Sequence, residues 1–295
     1  MKKFFPLIFF AGISLIFCSC DKLPEALLRA GIKTYSAEES GRIVMTSQNG
    51  TQIQLVSGSA AVQIDKIPLI LPEALQLQDI QQWDNYLPFV ENIFAPLLNP
   101  EQKKIRTIVL DPGHGGKDNG AKSVTNALEK DLNLSLAKVL QKELLSLGYQ
   151  VIMTRNKDVF VSLDRRAAIA NALEADLFIS IHHNSSATNP QASGMETFVI
   201  RPETDIEWQR CRKSVLPALL IQKEQAGING SFGRGVKFAR FKVLRLAKCP
   251  ALLIENAFLS NREDAVKSSS GAHRKLVSFA IARALLASYP PVTGW

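Results

Sequence analysis

From Ile105 to the end of the chain, short apolar runs of strand character alternate with longer segments of helical character. Thr107–Leu110 is a run of the first kind. Glu129–Leu147 is of the second kind, and Gly148 follows it at the position where glycine commonly ends a helix. Such alternation is typical of layered domains, because each helix buries its apolar face against a sheet. We predict an α/β fold over residues 105–290, with a mostly parallel or mixed central sheet flanked by helices.

The other predicted elements of this region follow in the same alternating order. Ser162 has the side chain expected of a helix N-cap. The predicted elements, in chain order, are strand Gln150–Thr154, helix Ser162–Leu173, strand Asp176–Ile181, strand Glu196–Ile200, helix Ile206–Gln225, strand Ala251–Ile254 and helix His273–Ser288. Functional groups of open α/β sheets gather beyond the carboxyl ends of the strands, so those ends are where chemistry is expected.

A region of different texture, residues 32–98, precedes the α/β segment. Asn49–Gly50 separates two strand-like runs, Arg42–Thr46 and Thr51–Val56. Asn-Gly between such runs is the strongest short-range signal of a β-hairpin. We predict a small β-rich accessory domain over 32–98, joined to the α/β domain by a linker at 99–104.

The first 20 residues have the pattern of a secretory signal peptide. Lys2 and Lys3 precede an apolar run, Phe4–Phe17, that is shorter than the roughly 20 residues needed to span a bilayer. The end of the run resembles a bacterial lipobox, with Cys20 after a small residue. We predict a lipoprotein-type signal over 1–20, lipidation of Cys20, and an exported, periplasmic protein anchored to a membrane. The alternatives are an ordinary cleaved signal and an uncleaved anchor.

Three predicted strands end in residues suited to catalysis or metal binding. The first runs into Asp111–Gly116, which contains His114; another runs into His182–Asn184; and the last runs into Glu255. Three of the four histidines of the chain therefore lie at strand ends that are expected to share one edge of the sheet. Each residue alone has a structural interpretation, as a hydrogen-bonded side chain or a helix cap, but together they indicate a site.

Glu129 begins the first long helix on its inward, apolar face. At 100° per residue, Leu136 and Leu140 each lie about 20° from Glu129 around the helix. A buried, unpaired carboxylate is costly, and a divalent cation is a partner that would stabilise it. Two histidines and one carboxylate leave a fourth tetrahedral position for water, as in hydrolytic zinc sites, and Glu255 would then act as general base.

Eight motifs, in order and at normal spacing over roughly residues 105–290, resemble those of the zinc-dependent N-acetylmuramoyl-L-alanine amidases, the Amidase_3 group. They are Leu110–Ala121 (LDPGHGGKDNGA), Glu129–Leu132, Thr154-Arg155, Arg166–Asn171, Ala175–Asn184, Gly194–Thr197, Arg234–Val236 and Ile254–Asn261. The resemblance implies an α/β enzyme domain. It also implies cleavage of the amide that joins the lactyl group of N-acetylmuramic acid to L-alanine of the peptidoglycan stem peptide.

The resemblance further implies a role for each principal residue. His114, Glu129 and His182 would be the ligands of one Zn²⁺ ion, and Glu255 would be the catalytic carboxylate. His183 stands where the group usually has a small residue. Since adjacent side chains of a strand face opposite ways, we expect His183 to point away from the metal.

Four further positions are candidate substrate or scaffold residues. Arg155 and Arg166 recur in the group's pattern, and we interpret them as scaffold residues that form ion pairs or hydrogen bonds, with substrate contact as the alternative. His183 and Asn184, which follow His182 directly, complete this set.

A competing catalytic motif and a non-catalytic function are the alternatives. Ser135 and Lys138 match the Ser-x-x-Lys of penicillin-binding serine enzymes. On the helix both lie away from the inward stripe, but a serine D,D-carboxypeptidase activity, alone or as a second activity, stays open. A wall-binding lipoprotein without catalysis is the third interpretation.

The charge balance indicates an anionic partner. The chain has 35 Lys and Arg against 27 Asp and Glu, a net charge of +8, and loss of Lys2 and Lys3 with the signal leaves 8 − 2 = +6. The basic residues are scattered and no nucleic-acid-binding motif occurs, which argues against nucleic acid. Peptidoglycan would attract such a chain, and a division-complex regulator is a further candidate partner. Cys211 and Cys249 either pair or remain buried thiols.

Overall fold

The computed structural model describes residues 15–17, 23–38, 40–77, 83, 85–100, 103–228 and 233–292. Within these ranges the strands are β1 (Leu15–Phe17), β2 (Ile32–Glu38), β3 (Arg42–Ser47), β4 (Gln52–Val56), β5 (Ala61–Ile64), β6 (Ile67–Ile70), β7 (Thr107–Pro112), β8 (Gln150–Met153), β9 (Leu177–Asn184), β10 (Met195–Ile200), β11 (Gly233–Ala239) and β12 (Ala251–Phe258).

The helices of the same ranges include one π-helical turn, Val90–Phe94, which lies between α2 and α3. The α-helices are α1 (Glu25–Arg29), α2 (Leu87–Phe89), α3 (Ala95–Leu98), α4 (Glu129–Ser146), α5 (Leu163–Ala172), α6 (Asp205–Ala226), α7 (Lys242–Leu246), α8 (Arg262–Ser269) and α9 (Gly271–Ser288). None of the helices described is both long and apolar enough to cross a membrane.

The described strands join one mixed sheet, in the order β1-β2-β3-β4-β5-β6-β11-β10-β12-β9-β7-β8. β1 to β6 are antiparallel neighbours, whereas β7 pairs in parallel with β8 and β9, and β9 pairs in parallel with β12. β10 is antiparallel to β12 and parallel to β11. The prediction of an α/β fold with a mixed central sheet flanked by helices is confirmed.

The helices cover the sheet in two unequal layers. α9 packs against both α4 and α6, and α5 packs with α7 in a separate group. The π-helical turn and α3 pack on α6, and α6 itself contacts β6, the last of the antiparallel strands. This layer closes a single apolar core with side chains from both halves of the chain, among them Met45, Leu69, Ile221 and Ile281.

Local sequence signals explain several element boundaries. Gly50 has φ +88° between β3 and β4, which pair across the predicted Asn-Gly turn. Gly148, with φ +94°, follows the end of α4. The hydroxyl of Ser162 accepts a hydrogen bond from the backbone N–H of Arg165 and is the N-cap that the sequence indicated.

The antiparallel strands and the α/β region share one sheet. β6 pairs in parallel with β11, with Leu69 opposite Val236. Gly235 makes this approach possible: its φ is +86°, and a Cβ there would lie 2.1 Å from the carbonyl oxygen of Pro68. The predicted accessory domain therefore continues the sheet and the core of the α/β region, while the domain limits 32–98 and 105–290 stay a prediction.

Two parts of the structure were not expected from the sequence. The sequence pattern predicts no element between Gln225 and Ala251, and the segment Gly233–Ala239 forms β11 there. The apolar run near Leu87–Phe89 belongs to a helical segment that continues to Leu98. Trp83, which is fully buried, packs edge-on against Phe94 with ring centroids 6.0 Å apart.

Candidate metal centre and active site

His114 lies in the turn that follows β7, and this turn requires glycine on both sides of the histidine. His114 itself has φ +59°, and Gly115 has φ +129°. A Cβ on Gly113 would lie 2.2 Å from the ring of His182. Because Gly113 lacks a side chain, the imidazoles from β9 and from the loop after β7 approach to a centroid distance of 4.9 Å.

Glu129 stands between these two histidines. Its Oε1 lies 3.1 Å from Nε2 of His114 and 2.9 Å from Nδ1 of His182. One potential ligand atom from each of the three residues lies within 4.8 Å of the other two. The structure thus brings together the three side chains that were predicted as metal ligands.

Electrostatics keep Glu129 ionised. Burial opposes ionisation, but hydrogen bonding to His114 and His182 outweighs it and holds the pKa of the Glu129 carboxyl far below its usual range. Burial likewise opposes protonation of His114, and the Glu129 and Asp118 carboxylates outweigh it and raise the pKa of that imidazole.

The donor set fits a zinc ion. Two imidazole nitrogens and one carboxylate oxygen are a usual set of three protein ligands at hydrolytic zinc sites, which keep one position open. The backbone N–H of Ala121 donates to Oε2 of Glu129 at 2.9 Å. A Cβ on Gly120 would lie 2.5 Å from that same oxygen, so the loop closes tightly around the carboxylate. The other carboxylate oxygen, Oε1, faces His114 and His182.

Glu255 is the register partner of His182 across β12 and β9. Burial, with the charges of Glu129 and Glu196, raises the pKa of Glu255 to about 7 against the opposing effect of His182. Its Oε2 is buried and has no hydrogen-bond partner among the described residues. β12 continues past Glu255 to Phe258 with an irregular register, so the carboxylate lies within the strand and not at its end.

Glu196 of β10 is opposite Glu255 on the other side of β12. Its carboxylate accepts hydrogen bonds from Arg234 at 2.7 Å, from Lys237, and from Asn184 at 3.1 Å. Burial opposes ionisation here too, but Lys237 and Arg234 outweigh it and hold the pKa of Glu196 below its usual value. Two neighbouring carboxyls with pKa values shifted in opposite directions are typical of acid–base sites.

Arg155 and Arg166 are buried beneath the loop that carries His114. Arg166 donates to the backbone oxygens of Pro112 and His114, both at 2.7 Å, and pairs with buried Asp111 at 2.7 Å. Arg155 donates to the same Pro112 oxygen and to that of Gly113, each at 2.8 Å. These contacts support the scaffold interpretation of both arginines.

His183 is not one of the three clustered ligand residues, and it is buried. Its Nδ1 lies 2.7 Å from Oδ1 of Asn133, on α4. Burial lowers the pKa of His183 to about 4, so the imidazole is neutral at pH 7. Asn184, which follows, bonds Glu196 as described above.

Three residues of this site escaped the sequence interpretation. Oδ1 of Asp118 lies 2.9 Å from Nδ1 of His114, Asn133 contacts Glu129 and His183, and Glu196 faces Glu255. Asp118 and Glu196 lie inside two of the motifs that resemble the amidase group, and membership of those motifs could have indicated them. Asn133 lies one turn after Glu129 on α4, and only that spacing could have indicated it.

The remaining predicted positions lie elsewhere. Ser135 is half-buried and Lys138 exposed on α4, and neither contacts the cluster in the contacts described. Cys211 and Cys249 are free thiols, Cys211 buried. Cys20 lies outside the described residues.

Comparison with known proteins identifies the family. Residues 108–287 match the Amidase_3 family, described as N-acetylmuramoyl-L-alanine amidase. "N-acetylmuramoyl-L-alanine amidase LytC" of Bacillus subtilis is 37% identical over 175 residues, which are 59% of this chain and 34% of LytC. "Probable cell wall amidase LytH" of Staphylococcus aureus is 39% identical over 185 residues, 62% of this chain and 57% of LytH. The match thus spans about a third of one relative and just over half of the other.

A solved structure shows the same architecture. The N-acetylmuramoyl-L-alanine amidase from Clostridium difficile 630 superposes with a TM-score of 0.58 at 34% sequence identity, covering 63% of this chain and 97% of that one. The matched region contains the cluster of His114, Glu129 and His182 and also Glu255. On this evidence, the chain belongs to the N-acetylmuramoyl-L-alanine amidase family.

Proposed function

We propose that this protein is an exported, zinc-dependent cell-wall hydrolase that cleaves the amide between N-acetylmuramic acid and L-alanine of the peptidoglycan stem peptide. The observation that carries the proposal is the cluster of His114, Glu129 and His182 beside the buried, unpartnered carboxyl oxygen of Glu255. The cluster can bind a cation, and Glu255 can accept or donate a proton next to it. The family match over residues 108–287 supplies the substrate class.

The three clustered side chains would hold one Zn²⁺ through Nε2 of His114, Oε1 of Glu129 and Nδ1 of His182, the atoms that already converge. When bound, zinc would lower the pKa of a water molecule and polarise the scissile carbonyl. Glu129 keeps its negative charge for this purpose, and Arg155 and Arg166 fix the backbone from which His114 projects.

Glu255 would transfer the proton. Its Oε2 accepts a proton from the attacking water, the water oxygen bonds to the amide carbon, and the carbon–nitrogen bond breaks. Glu255 then gives the same proton to the departing nitrogen of L-alanine, which leaves as a free amine. The second water proton stays on the new lactyl carboxyl group, which loses it to solvent. In the metal-free protein the pKa of Glu255 is about 7, and burial, which raises it, favours a carboxyl that can both hold and release a proton.

The test is mass spectrometry of purified peptidoglycan after digestion. The proposal expects free stem peptides that begin with L-alanine, and loss of product after chelation with recovery on adding zinc. Glu255→Gln should fold and bind zinc but hydrolyse at least about a hundredfold more slowly, because glutamine cannot accept the proton. Ser135→Ala is the matched control and should keep its activity. Wild-type turnover by Glu255→Gln would contradict the mechanism.

The alternative serine activity is tested in the same digest. Release of terminal D-alanine alone, abolished by Ser135→Ala, would replace the amidase proposal with a D,D-carboxypeptidase. The exposure of Lys138 and the absence of a contact between Ser135 and the metal-ligand cluster, in the contacts described, favour the amidase.

We also propose export and membrane anchoring through Cys20, on the evidence of the N-terminal sequence. Cys20→Ala should release the protein from the membrane fraction or leave an unprocessed precursor. Wild-type protein that takes up no fatty-acid label would reduce the proposal to a simple cleaved signal. A division-complex regulator stays a prediction.

A further inference from the structure

Asn133 is a fully buried polar side chain behind the metal-ligand cluster. It lies on α4 one turn after Glu129, and its exposed fraction is 0%. Its Nδ2 donates to Oε1 of Glu129 at 3.2 Å and to the backbone oxygen of Gly113 at 3.3 Å. One amide group therefore contacts a candidate ligand and the turn that carries another.

The far end of the same amide fixes its orientation. Both neighbours of Nδ2 are acceptors, so Oδ1 must be the acceptor end of Asn133. The group at Oδ1 is Nδ1 of His183, 2.7 Å away, which must then carry the hydrogen. With His183 donating to Oδ1, a flip of the Asn133 amide would place two donors together and leave Oε1 of Glu129 facing an oxygen.

Together with the backbone, this pair holds both oxygens of the Glu129 carboxylate. The backbone N–H of His183 also donates to Oε1, at 3.3 Å, and Ala121 N–H holds Oε2 at 2.9 Å. A carboxylate held at both oxygens cannot rotate freely about its last side-chain bond. Oε1 therefore stays directed between His114 and His182.

We propose that Asn133 and His183 form a positioning pair that presets Glu129 for the metal, so that His183, in the position where a small residue is usual, contributes to metal affinity without touching the metal. This inference rests on the proposed zinc dependence. Groups that hydrogen-bond to metal ligands typically change affinity by about 10–100-fold when they are removed.

The experiment measures the zinc dissociation constant of metal-free full-length protein by competition with a chromophoric chelator. His183→Leu removes the donor to Asn133, whereas His183→Asn places an amide N–H close to where Nδ1 stood. We expect His183→Leu to bind zinc about tenfold or more weakly and His183→Asn to remain within about threefold of wild type. Asn133→Leu should weaken binding about 10–100-fold.

The control is Gln222→Leu, which, like Asn133→Leu, removes a fully buried amide. The Gln222 amide has hydrogen bonds to Thr197 and Gly235 and to none of the candidate ligands. It should lose stability and keep its zinc affinity. If Asn133→Leu does not fold, the two His183 variants decide. Equal affinities for His183→Leu and wild type would overturn the positioning pair alone, whereas a wild-type protein that binds no zinc would overturn the proposed zinc dependence as well.

Discussion

Two carboxyl groups on adjacent strands have opposite effects on stability. Glu255 has a raised pKa, so the fold disfavours its charged form. Its unfavourable contribution is absent below the unfolded-state pKa and grows as pH rises towards about 7. Glu196 has a lowered pKa, so its favourable contribution is present above the unfolded-state pKa and is lost as pH falls through the folded-state value.

Matched Glu→Gln substitutions should therefore have opposite signs. In metal-free protein at pH 8, we expect Glu255→Gln to raise the free energy of unfolding by on the order of 2 kcal/mol. We expect Glu196→Gln to lower it by about 1–3 kcal/mol, since Arg234 and Lys237 lose their partner. Urea unfolding at pH 8 and pH 4.5 checks both, and the Glu255→Gln gain should shrink at the lower pH. A loss of stability in Glu255→Gln at pH 8 would contradict this account.

Oδ1 of Asp118 lies 2.9 Å from Nδ1 of His114, an ion-pair contact without the geometry of a hydrogen bond. A carboxylate on the second imidazole nitrogen fixes the ring orientation and raises the basicity of a ligating histidine. We expect Asp118→Asn to weaken zinc binding by about tenfold. Asp164→Asn is the control, because Asp164 is an exposed carboxylate that pairs with Lys242 instead. Equal zinc affinity in the two variants would rule out this role for Asp118.

At the residue scale, the sequence could indicate those side chains whose position follows from their own element. His114 follows the end of β7, His182 lies near the end of β9, Glu255 follows the apolar run that opens β12, and Glu129 begins a helix on its inward face. Asn133 could not be assigned a role, because its partner His183 is 50 residues away.

At the scale of single elements, β11 was the main omission. Its segment contains two glycines and two basic residues, Arg234 and Lys237, which interrupt any continuous apolar run. Its strand conformation depends on two neighbours, β10 and β6, which are distant in sequence. The strands that were predicted, such as β7 and β12, are apolar enough to be recognised alone.

The β6–β11 junction predicts a large effect for a small change. Gly235→Ala would place a methyl group 2.1 Å from the Pro68 oxygen, so strands must separate, and we expect destabilisation of about 3 kcal/mol or more. Gly50→Ala is the control, with a similar φ and no atom within 4 Å, and should cost about 1–2 kcal/mol from backbone strain alone. Urea unfolding compares them, and equal losses would show that the junction tolerates the methyl group.

At the scale of the whole molecule, a shared sheet and a shared core predict cooperative unfolding. We expect one thermal transition, with the calorimetric enthalpy equal to the van't Hoff enthalpy. Two separated transitions in calorimetry would show instead that residues 32–98 fold as an independent domain.

The strand order also limits the distance across the sheet between the N-terminal strands and the candidate active site. From β2 to β9, which carries His182, there are eight steps across the sheet. At about 4.8 Å per step they span at most roughly 40 Å. For a chain tethered through Cys20, that distance would be the most that the antiparallel strands could add between the membrane and the bond that is cut. Each hairpin of the antiparallel strands contributes about 10 Å to that distance.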